Sequence, residues 1–225
     1  MLLGLDVRDQ LKEIFSKEFK EPVTVRVFSQ AIGCDSCQTV EELIREVAEL
    51  GDGKIKYEVH SPALEKDLAE RYGIDRVPTI VIEGDKDYGI RYIGLPAGLE
   101  FSTLVQGIVQ VSKREPKLSK ETLEILKGID TPIDITVFVT TSCGYCPSAA
   151  VMAWNFAIAS DNISAKVVDA SENPDLAEKF QVVGVPKIVL NNGLAEFVGA
   201  QPENAFLGYI VAVHEKLKRE GSQGS

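Results

Sequence analysis

The chain has 225 residues, which is enough for one large domain or for two domains of ordinary size. Hydrophobic residues make up 44% and charged residues 26%, a mixture typical of folded globular proteins. The net charge of −10 argues against nucleic-acid binding, because phosphate-binding surfaces need clustered Lys and Arg.

The first half of the chain predicts a unit in which helices alternate with strands. Its predicted elements are an amphipathic helix carrying Leu11, Ile14, Phe15 and Phe19, a strand at 23–28, a helix at about 36–50, a strand at 54–60, a short helix at Asp67-Leu-Ala-Glu, a strand at 79–82 that begins a hairpin, and a helix at 99–112. This order is βαβ followed by ββα, which indicates a mixed sheet flanked by helices. The polar segment Lys113-Arg-Glu-Pro-Lys then indicates a boundary.

The second half predicts the same order of elements. They are a helix with Leu123, Ile125 and Leu126, a strand at 133–139, a helix at about 145–160, a strand at 163–169, a short helix at Asp175-Leu-Ala-Glu, a strand at 187–190 and a helix at 203–219. The dipeptide Asn192-Gly193 predicts a two-residue type I′ turn in the second hairpin.

An internal repeat explains this agreement. The segment 21–28 resembles 131–138 at a separation of 110 residues, the cysteines recur at 109, and a Val-Pro dipeptide recurs at 108. So small a drift over a domain-sized unit indicates duplication. We therefore expect an α/β protein of two tandem domains, 1–116 (the first repeat) and 117–225 (the second repeat), each with a central mixed β-sheet.

The four cysteines of the chain form two pairs of identical spacing, Cys34-Asp-Ser-Cys37 and Cys143-Gly-Tyr-Cys146. Four cysteines are too few for a disulfide scaffold. No run of 18 apolar residues predicts a membrane span, and the first residues do not match a signal peptide, so the cytosol is the expected compartment. In a reducing compartment, paired cysteines are more often catalytic or metal-binding than structural.

Each pair lies where a helix is expected to begin after a strand. Unpaired backbone N–H groups and the helix dipole lower the pKa of a thiol at that place, and the thiolate is the nucleophile of disulfide exchange. We therefore interpret Cys34 and Cys143 as attacking thiols and Cys37 and Cys146 as resolving thiols.

The surroundings of the two pairs predict different thiol pKa values. Asp35 lies between the first two cysteines and Glu41 and Glu42 follow, whereas the residues between the second two are neutral. Negative charge raises the pKa of a thiol, so we expect the lower pKa and the more oxidising site at Cys143. Asp35 has an alternative interpretation as a helix cap.

A Val-Pro dipeptide follows each pair at nearly the same distance. Pro78 lies 44 residues after Cys34, and Pro186 lies 43 residues after Cys143. A recurrent proline beside the cysteines favours a cis bond before it. Such a bond would expose the backbone of Val77 and Val185, and an extended client peptide could then pair with that backbone by strand addition. A trans proline that merely opens a strand is the alternative.

Together these features resemble the thioredoxin superfamily over nearly the whole chain, twice. The motif Cys143-Gly-Tyr-Cys146-Pro147 is similar to the Cys-Pro-Tyr-Cys of glutaredoxin. Two active units resemble the glutaredoxin-like protein disulfide oxidoreductases of hyperthermophiles, which implies two tandem thioredoxin-like folds and reduction, oxidation and isomerisation of protein disulfides. The resemblance also implies client proteins with thiols or disulfides, and a thioredoxin-reductase-like flavoprotein as electron donor.

Some residues depart from the superfamily pattern or have two interpretations. Thioredoxins carry a buried Asp where this chain has Val27 and Val137, so the group that assists the resolving thiol is not identified from the sequence. Tyr145 is either an exposed client contact or a turn residue. The apolar helix around Trp154 predicts deep burial at an interface between domains or subunits.

Three other functions fit parts of the pattern. A structural zinc site would need the two cysteine pairs to meet across 105 residues, and we expect no metal and no cofactor beyond the cysteine pairs. A client-binding chaperone would leave both cysteine pairs without a role. An electron-delivery module would use the same chemistry but would act on one partner enzyme instead of many client proteins. The sequence does not decide the oligomeric state.

Overall fold

The computed structural model describes residues 1–223, and both halves contain the predicted series of elements. The first repeat contains α1 (Leu5–Glu18), β1 (Val23–Phe28), α2 (Cys37–Glu49), β2 (Ile55–His60), α3 (Lys66–Arg71), β3 (Thr79–Glu83), β4 (Asp87–Ile93) and α4 (Phe101–Lys113). The second repeat contains α5 (Lys120–Leu126), β5 (Ile133–Val139), α6 (Cys146–Ala159), β6 (Ile163–Asp169), α7 (Pro174–Lys179), β7 (Lys187–Leu190), β8 (Ala195–Val198) and α8 (Glu203–Gln223). A short 3₁₀ turn at Gly98–Glu100 precedes α4.

The strands form one mixed sheet in the order β2-β1-β3-β4-β6-β5-β7-β8. Within each repeat the first two strands are parallel and the last two are antiparallel, as the βαβ and ββα order predicts. The two four-stranded halves are joined because β4 pairs with β6 in parallel register. The sequence does not predict this junction, because it depends on how two separate strand edges meet.

Alternation of apolar residues along the strands places helices on both faces of the sheet. On β1, the side chains of Val23, Val25 and Val27 face the main core with α2 and α4, whereas Phe28 faces a smaller cluster with α3. The second repeat is built in the same way, with Phe138 on the side of α7. The main core is continuous across both repeats.

Helices α4 and α6 pack against each other where the repeats meet. Trp154 on α6 is 1% exposed, which confirms that this apolar helix is buried at an interface between the repeats. A Cβ atom at Gly107 on α4 would lie 2.3 Å from the Trp154 ring. The absence of a side chain at Gly107 therefore lets the two helices approach.

The second hairpin differs from the predicted two-residue turn. Leu190 pairs with Ala195, so the loop has four residues, 191–194. Asn191, Asn192 and Gly193 all have positive φ angles, of 45°, 61° and 101°. The predicted type I′ turn at Asn192-Gly193 is wrong because Asn191 also adopts the left-handed conformation, which ends the strand earlier.

The segment 114–119 joins α4 to α5 and contains no helix or strand. The predicted division between residues 116 and 117 lies within it. Because the sheet runs through both repeats, that division stays a prediction.

Candidate redox sites

The first cysteine pair lies at the carboxyl end of β1. Cys34 and Cys37 form a disulfide, with their Cα atoms 5.5 Å apart. Cys34 is in the loop that follows β1 and is partly exposed, whereas Cys37 is the first residue of α2 and is 1% exposed. Cys34 is therefore the more accessible of the two sulfurs, and the attacking and resolving roles stay predictions.

The second cysteine pair has the same geometry. Cys143 and Cys146 form a disulfide, with their Cα atoms 5.4 Å apart. Cys143 is partly exposed in the loop after β5, and Cys146, the first residue of α6, is fully buried. In both repeats the helix begins at the second cysteine, one residue later than the sequence pattern predicts.

Both helices begin without a side-chain cap. Ser36 precedes α2 and Tyr145 precedes α6, and neither side chain accepts a hydrogen bond from the first turn. The first backbone N–H groups are therefore available to a sulfur, together with the positive end of the helix dipole. Asp35 is exposed and does not occupy the capping position, so the interpretation of Asp35 as a helix cap is wrong.

The two Val-Pro dipeptides lie beside the cysteine loops. The bonds Val77-Pro78 and Val185-Pro186 are both cis, as the recurrence of the dipeptide predicts. The dipeptides precede β3 and β7, whose first residues pair with the last part of β1 and β5.

The backbone around these prolines is only partly used by the protein itself. The carbonyl groups of Pro78 and Pro186 accept hydrogen bonds from Gly94 and Gly199. Among the described residues, the backbone groups of Val77 and Val185 have no hydrogen-bond partner. They are therefore free to pair with another chain.

Exposed apolar side chains lie in the second cysteine loop and near the second Val-Pro dipeptide. Tyr145 is 75% exposed, Val183 is 97% exposed, and Val198 next to Gly184 is 53% exposed. The two interpretations of Tyr145, as a client contact or as a turn residue, stay predictions. Near the first pair, Ile32 is 88% exposed. At the positions that correspond to Val183 and Gly184, counted from the two prolines, the first repeat carries Asp75 and Arg76.

Two carboxyl groups that the sequence pattern does not reveal are buried between the repeats. Glu100 is fully buried, and this burial, together with the charge of Asp169, raises its pKa to about 7. Burial likewise raises the pKa of Asp169, which ends β6. The positions of Val27 and Val137 are buried and apolar, so Glu100 and Asp169 are the buried acids of this region. The only sequence signal is a lone Glu within an apolar segment, which is weak.

The rest of the described chain adds neither a metal site nor a bilayer span. Within residues 1–223, no three His, Cys, Asp or Glu side chains converge as ligands for a cation. None of the helices in that range combines the length and the apolar character that crossing a bilayer requires.

Comparison with known proteins supports both the fold and the duplication. A thioredoxin-domain profile matches residues 23–95 and again 133–212. The crystal structure of a protein disulfide oxidoreductase from Aeropyrum pernix K1 superposes with a TM-score of 0.88 at 33% identity, covering 96% of this chain and 95% of that one. A structure of AhpF, a component of the alkylhydroperoxide reductase of Enterococcus faecalis, superposes with a TM-score of 0.84 at 24% identity, covering 93% of this chain and 99% of that one.

Curated relatives match over a smaller share of their own length. The AhpF component of the alkyl hydroperoxide reductase of Staphylococcus epidermidis is 26% identical over 191 residues, which is 84% of this chain and 34% of that protein. The same component in Pseudomonas aeruginosa is 32% identical over 105 residues, or 47% of this chain and 20% of that protein. The chain thus spans about a third or less of the length of these relatives.

Proposed function

Since the matched segments make up most of the chain, it belongs to the thioredoxin-domain family, and we propose that it is a protein thiol–disulfide oxidoreductase with two redox centres. One observation carries the proposal. Each repeat presents a partly exposed cysteine whose buried partner begins a helix, beside a backbone segment left free for another chain. Inert cysteines on a binding scaffold have no reason to keep this arrangement twice.

In the reducing direction, the thiolate of Cys143 attacks one sulfur of a client disulfide. The client S–S bond breaks, its other sulfur leaves as a thiolate that takes up a proton, and a mixed disulfide joins the client to Cys143. Cys146 then loses its proton and attacks the Cys143 sulfur. The client leaves as a dithiol, and two electrons have passed from the cysteine pair to the client. Cys34 and Cys37 perform the same steps in the first repeat, and the reverse sequence oxidises a client.

The loops beside the cysteines bind the client in this proposal. An extended peptide pairs with the free backbone of Val77 or Val185 by strand addition, beside Pro78 or Pro186. Tyr145 and Val183 give the second site an exposed apolar surface for client side chains. This surface suits the apolar segments of incompletely folded proteins.

The cysteine pairs are the only redox groups that the proposal needs, without a metal or organic cofactor. A thioredoxin-reductase-like flavoprotein would return two electrons to an oxidised pair. The cytosol is the proposed compartment, because all four cysteines are placed for exchange and none serves a structural framework.

Reduction of insulin and refolding of scrambled ribonuclease test the proposal with Cys34→Ser, Cys143→Ser and the double variant. We expect each single variant to lose one centre, with the larger loss of protein-disulfide turnover in Cys143→Ser, and the double variant to lose all activity. A double variant as active as the parent protein would refute the proposal. If the double variant lost exchange but still prevented aggregation, client binding would be a separate property.

A second candidate function is that of an electron-transfer module for one partner enzyme. The observation that favours it is the match of most of this chain to about a third of the AhpF component of alkyl hydroperoxide reductase. Such a module would exchange electrons rapidly with one partner and slowly with unrelated protein disulfides. Rates with insulin and with a purified peroxide-reducing partner would separate the two functions.

A further inference from the structure

A segment of the second repeat crosses over to the first redox site. The carboxylate of Glu172, which follows β6, accepts a hydrogen bond from the hydroxyl of Ser36 at 2.5 Å and another from the backbone N–H of Leu95 at 2.8 Å. Ser36 lies between Cys34 and Cys37. Both oxygens of Glu172 are therefore held, and its negative charge is fixed beside the cysteine loop of the other repeat.

The next residues of the same segment hold the second loop of that site. Arg76 precedes the Val77-Pro78 dipeptide, and its guanidinium group donates a hydrogen bond to Asn173 at 2.9 Å and two to Asp175 at 3.2 and 3.1 Å. Arg76 in turn lowers the pKa of Asp175, so this pair is ionised and its charges compensate. The segment that follows Glu172 is thus held against the first repeat as well.

The second redox site has no equivalent carboxylate among the described residues. There, the contact from the first repeat is a backbone hydrogen bond from the N–H of Leu99 to the carbonyl of Thr141, at 2.9 Å. Within residues 1–223, no carboxylate side chain is hydrogen-bonded to Gly144 or Tyr145, the two residues between the cysteines. Among the described residues, a carboxylate hydrogen-bonded to the residues between the cysteines from the other repeat is therefore found at the first site and not at the second.

We propose that Glu172 is a positioning residue through which the second repeat raises the pKa of the Cys34 thiol and makes the first site more reducing. The inference rests on the proposed redox function only for its biological role. Charged side chains near the Cys34–Cys37 loop include Asp35 in the loop, Glu41 on α2, which accepts a hydrogen bond from Ser29, and Glu172 across the junction, whereas the charge of Arg76 is compensated by Asp175. Their balance is negative, and negative charge disfavours a thiolate.

The test uses the full chain with Cys143→Ser and Cys146→Ser, which leaves one dithiol. The rate at which iodoacetamide alkylates Cys34 is measured from pH 5 to 9, and the redox equilibrium of Cys34–Cys37 is measured against glutathione. With Glu172→Gln we expect the alkylation rate of Cys34 to reach its half-maximum at a lower pH. At pH 6.5 the rate should be about threefold higher, because more thiolate is present. The glutathione equilibrium is expected to shift by a similar factor toward the dithiol.

Two matched variants separate tuning from a structural effect. Glu178→Gln removes a carboxylate from α7 of the same repeat and is expected to leave the pH profile of Cys34 alkylation unchanged. Glu172→Asp keeps the charge and is expected to restore most of the parental profile. Coincident profiles for Glu172→Gln and Glu178→Gln would overturn the inference, and so would a Glu172→Asp profile equal to that of Glu172→Gln.

Failure of the inference differs from failure of the proposed function. If this single-dithiol protein reduces insulin but the pKa of Cys34 is the same with and without Glu172→Gln, the tuning is refuted. If the pKa shifts while insulin is not reduced, tuning stands and the catalytic role of the first site is refuted.

Discussion

Charged side chains flank Cys34 together with one exposed apolar residue, Ile32, whereas several apolar side chains are exposed at the second site. Asp35, Glu172 and the Arg76–Asp175 pair lie at the first site. Tyr145 and Val183 are exposed at the second site. The strand, loop and helix that carry the cysteines are nevertheless the same in both.

This difference indicates how a duplicated fold divides one chemistry between two centres. The backbone geometry, which makes exchange possible, is preserved in both copies. The side chains around it, which set thiol pKa and client contacts, have diverged. Part of that divergence is imposed from outside, since the first site is contacted by the segment of the second repeat that carries Glu172 and Asp175.

The largest expected difference between the repeats is a pH-dependent stability effect of Glu100, the buried acid at the junction. Counted from Gly94 and Gly199, the position of Glu100 corresponds to Ala205 in the second repeat. The pKa of Glu100 is raised from 4.5 to about 7, so the folded protein binds a proton that the unfolded chain releases above pH 4.5. Between pH 4.5 and about 7, Glu100 ionises in the unfolded chain but stays protonated in the fold. The free energy of unfolding therefore falls progressively over this range, by up to about 3 kcal/mol.

Urea unfolding of the parent protein and of Glu100→Gln between pH 4.5 and 8 measures this effect. The stability of the parent relative to the variant should fall as the pH rises through this range and become constant above about pH 7.5. Asp169 remains in both proteins, and its electrostatic coupling to Glu100 is part of the measured difference. A stability difference that does not vary with pH would show that Glu100 is not the group that titrates.

The packing of α4 on α6 tests the same comparison at the level of stability. Gly107 lies against Trp154, whereas the corresponding residue of the second repeat, counted from the same two glycines, is Ala212. Gly107→Ala should destabilise the fold by about 1–3 kcal/mol, because the new methyl group overlaps the indole. Chemical denaturation measures the change.

Gly208→Ala is the control for Gly107→Ala. Gly208 also lies within a helix, α8, but a Cβ atom there meets nothing within 4 Å. This substitution should stabilise the protein by about 0.5–1 kcal/mol through helix propensity alone. Equal effects of the two substitutions would mean that Gly107 is not needed for the approach of the two helices.

The remaining test concerns the difference between the two thiol pKa values. We expect the Cys143 pKa to lie about one unit below that of Cys34, equivalent to about 1.4 kcal/mol, because Asp35 and Glu172 surround only the first site. Thiolate absorbance in the two single-dithiol variants, Cys34→Ser/Cys37→Ser and Cys143→Ser/Cys146→Ser, measures both values. Equal values, or a lower one at Cys34, would contradict the comparison.

Much of the fold follows from local patterns. Alternating apolar residues predict β1 and β5, helical spacing predicts α1 and α2, and the recurrence of Val-Pro at a fixed distance from the cysteines predicts both loops. The prediction for the second hairpin has the wrong loop length, because no local pattern shows that Asn191 adopts a positive φ angle. Domain bounds at 116 and 117 remain a prediction.

The sequence by itself determined the duplication, the order of elements and the pairing of the cysteines, because each depends on residues close together in the chain or repeated at one spacing. Only the tertiary structure decided that β4 pairs with β6, that Glu100 is buried, and that Glu172 reaches Ser36. The last of these contacts joins residues 136 positions apart. Burial and charge at such contacts depend on how the two repeats dock, which local patterns do not encode.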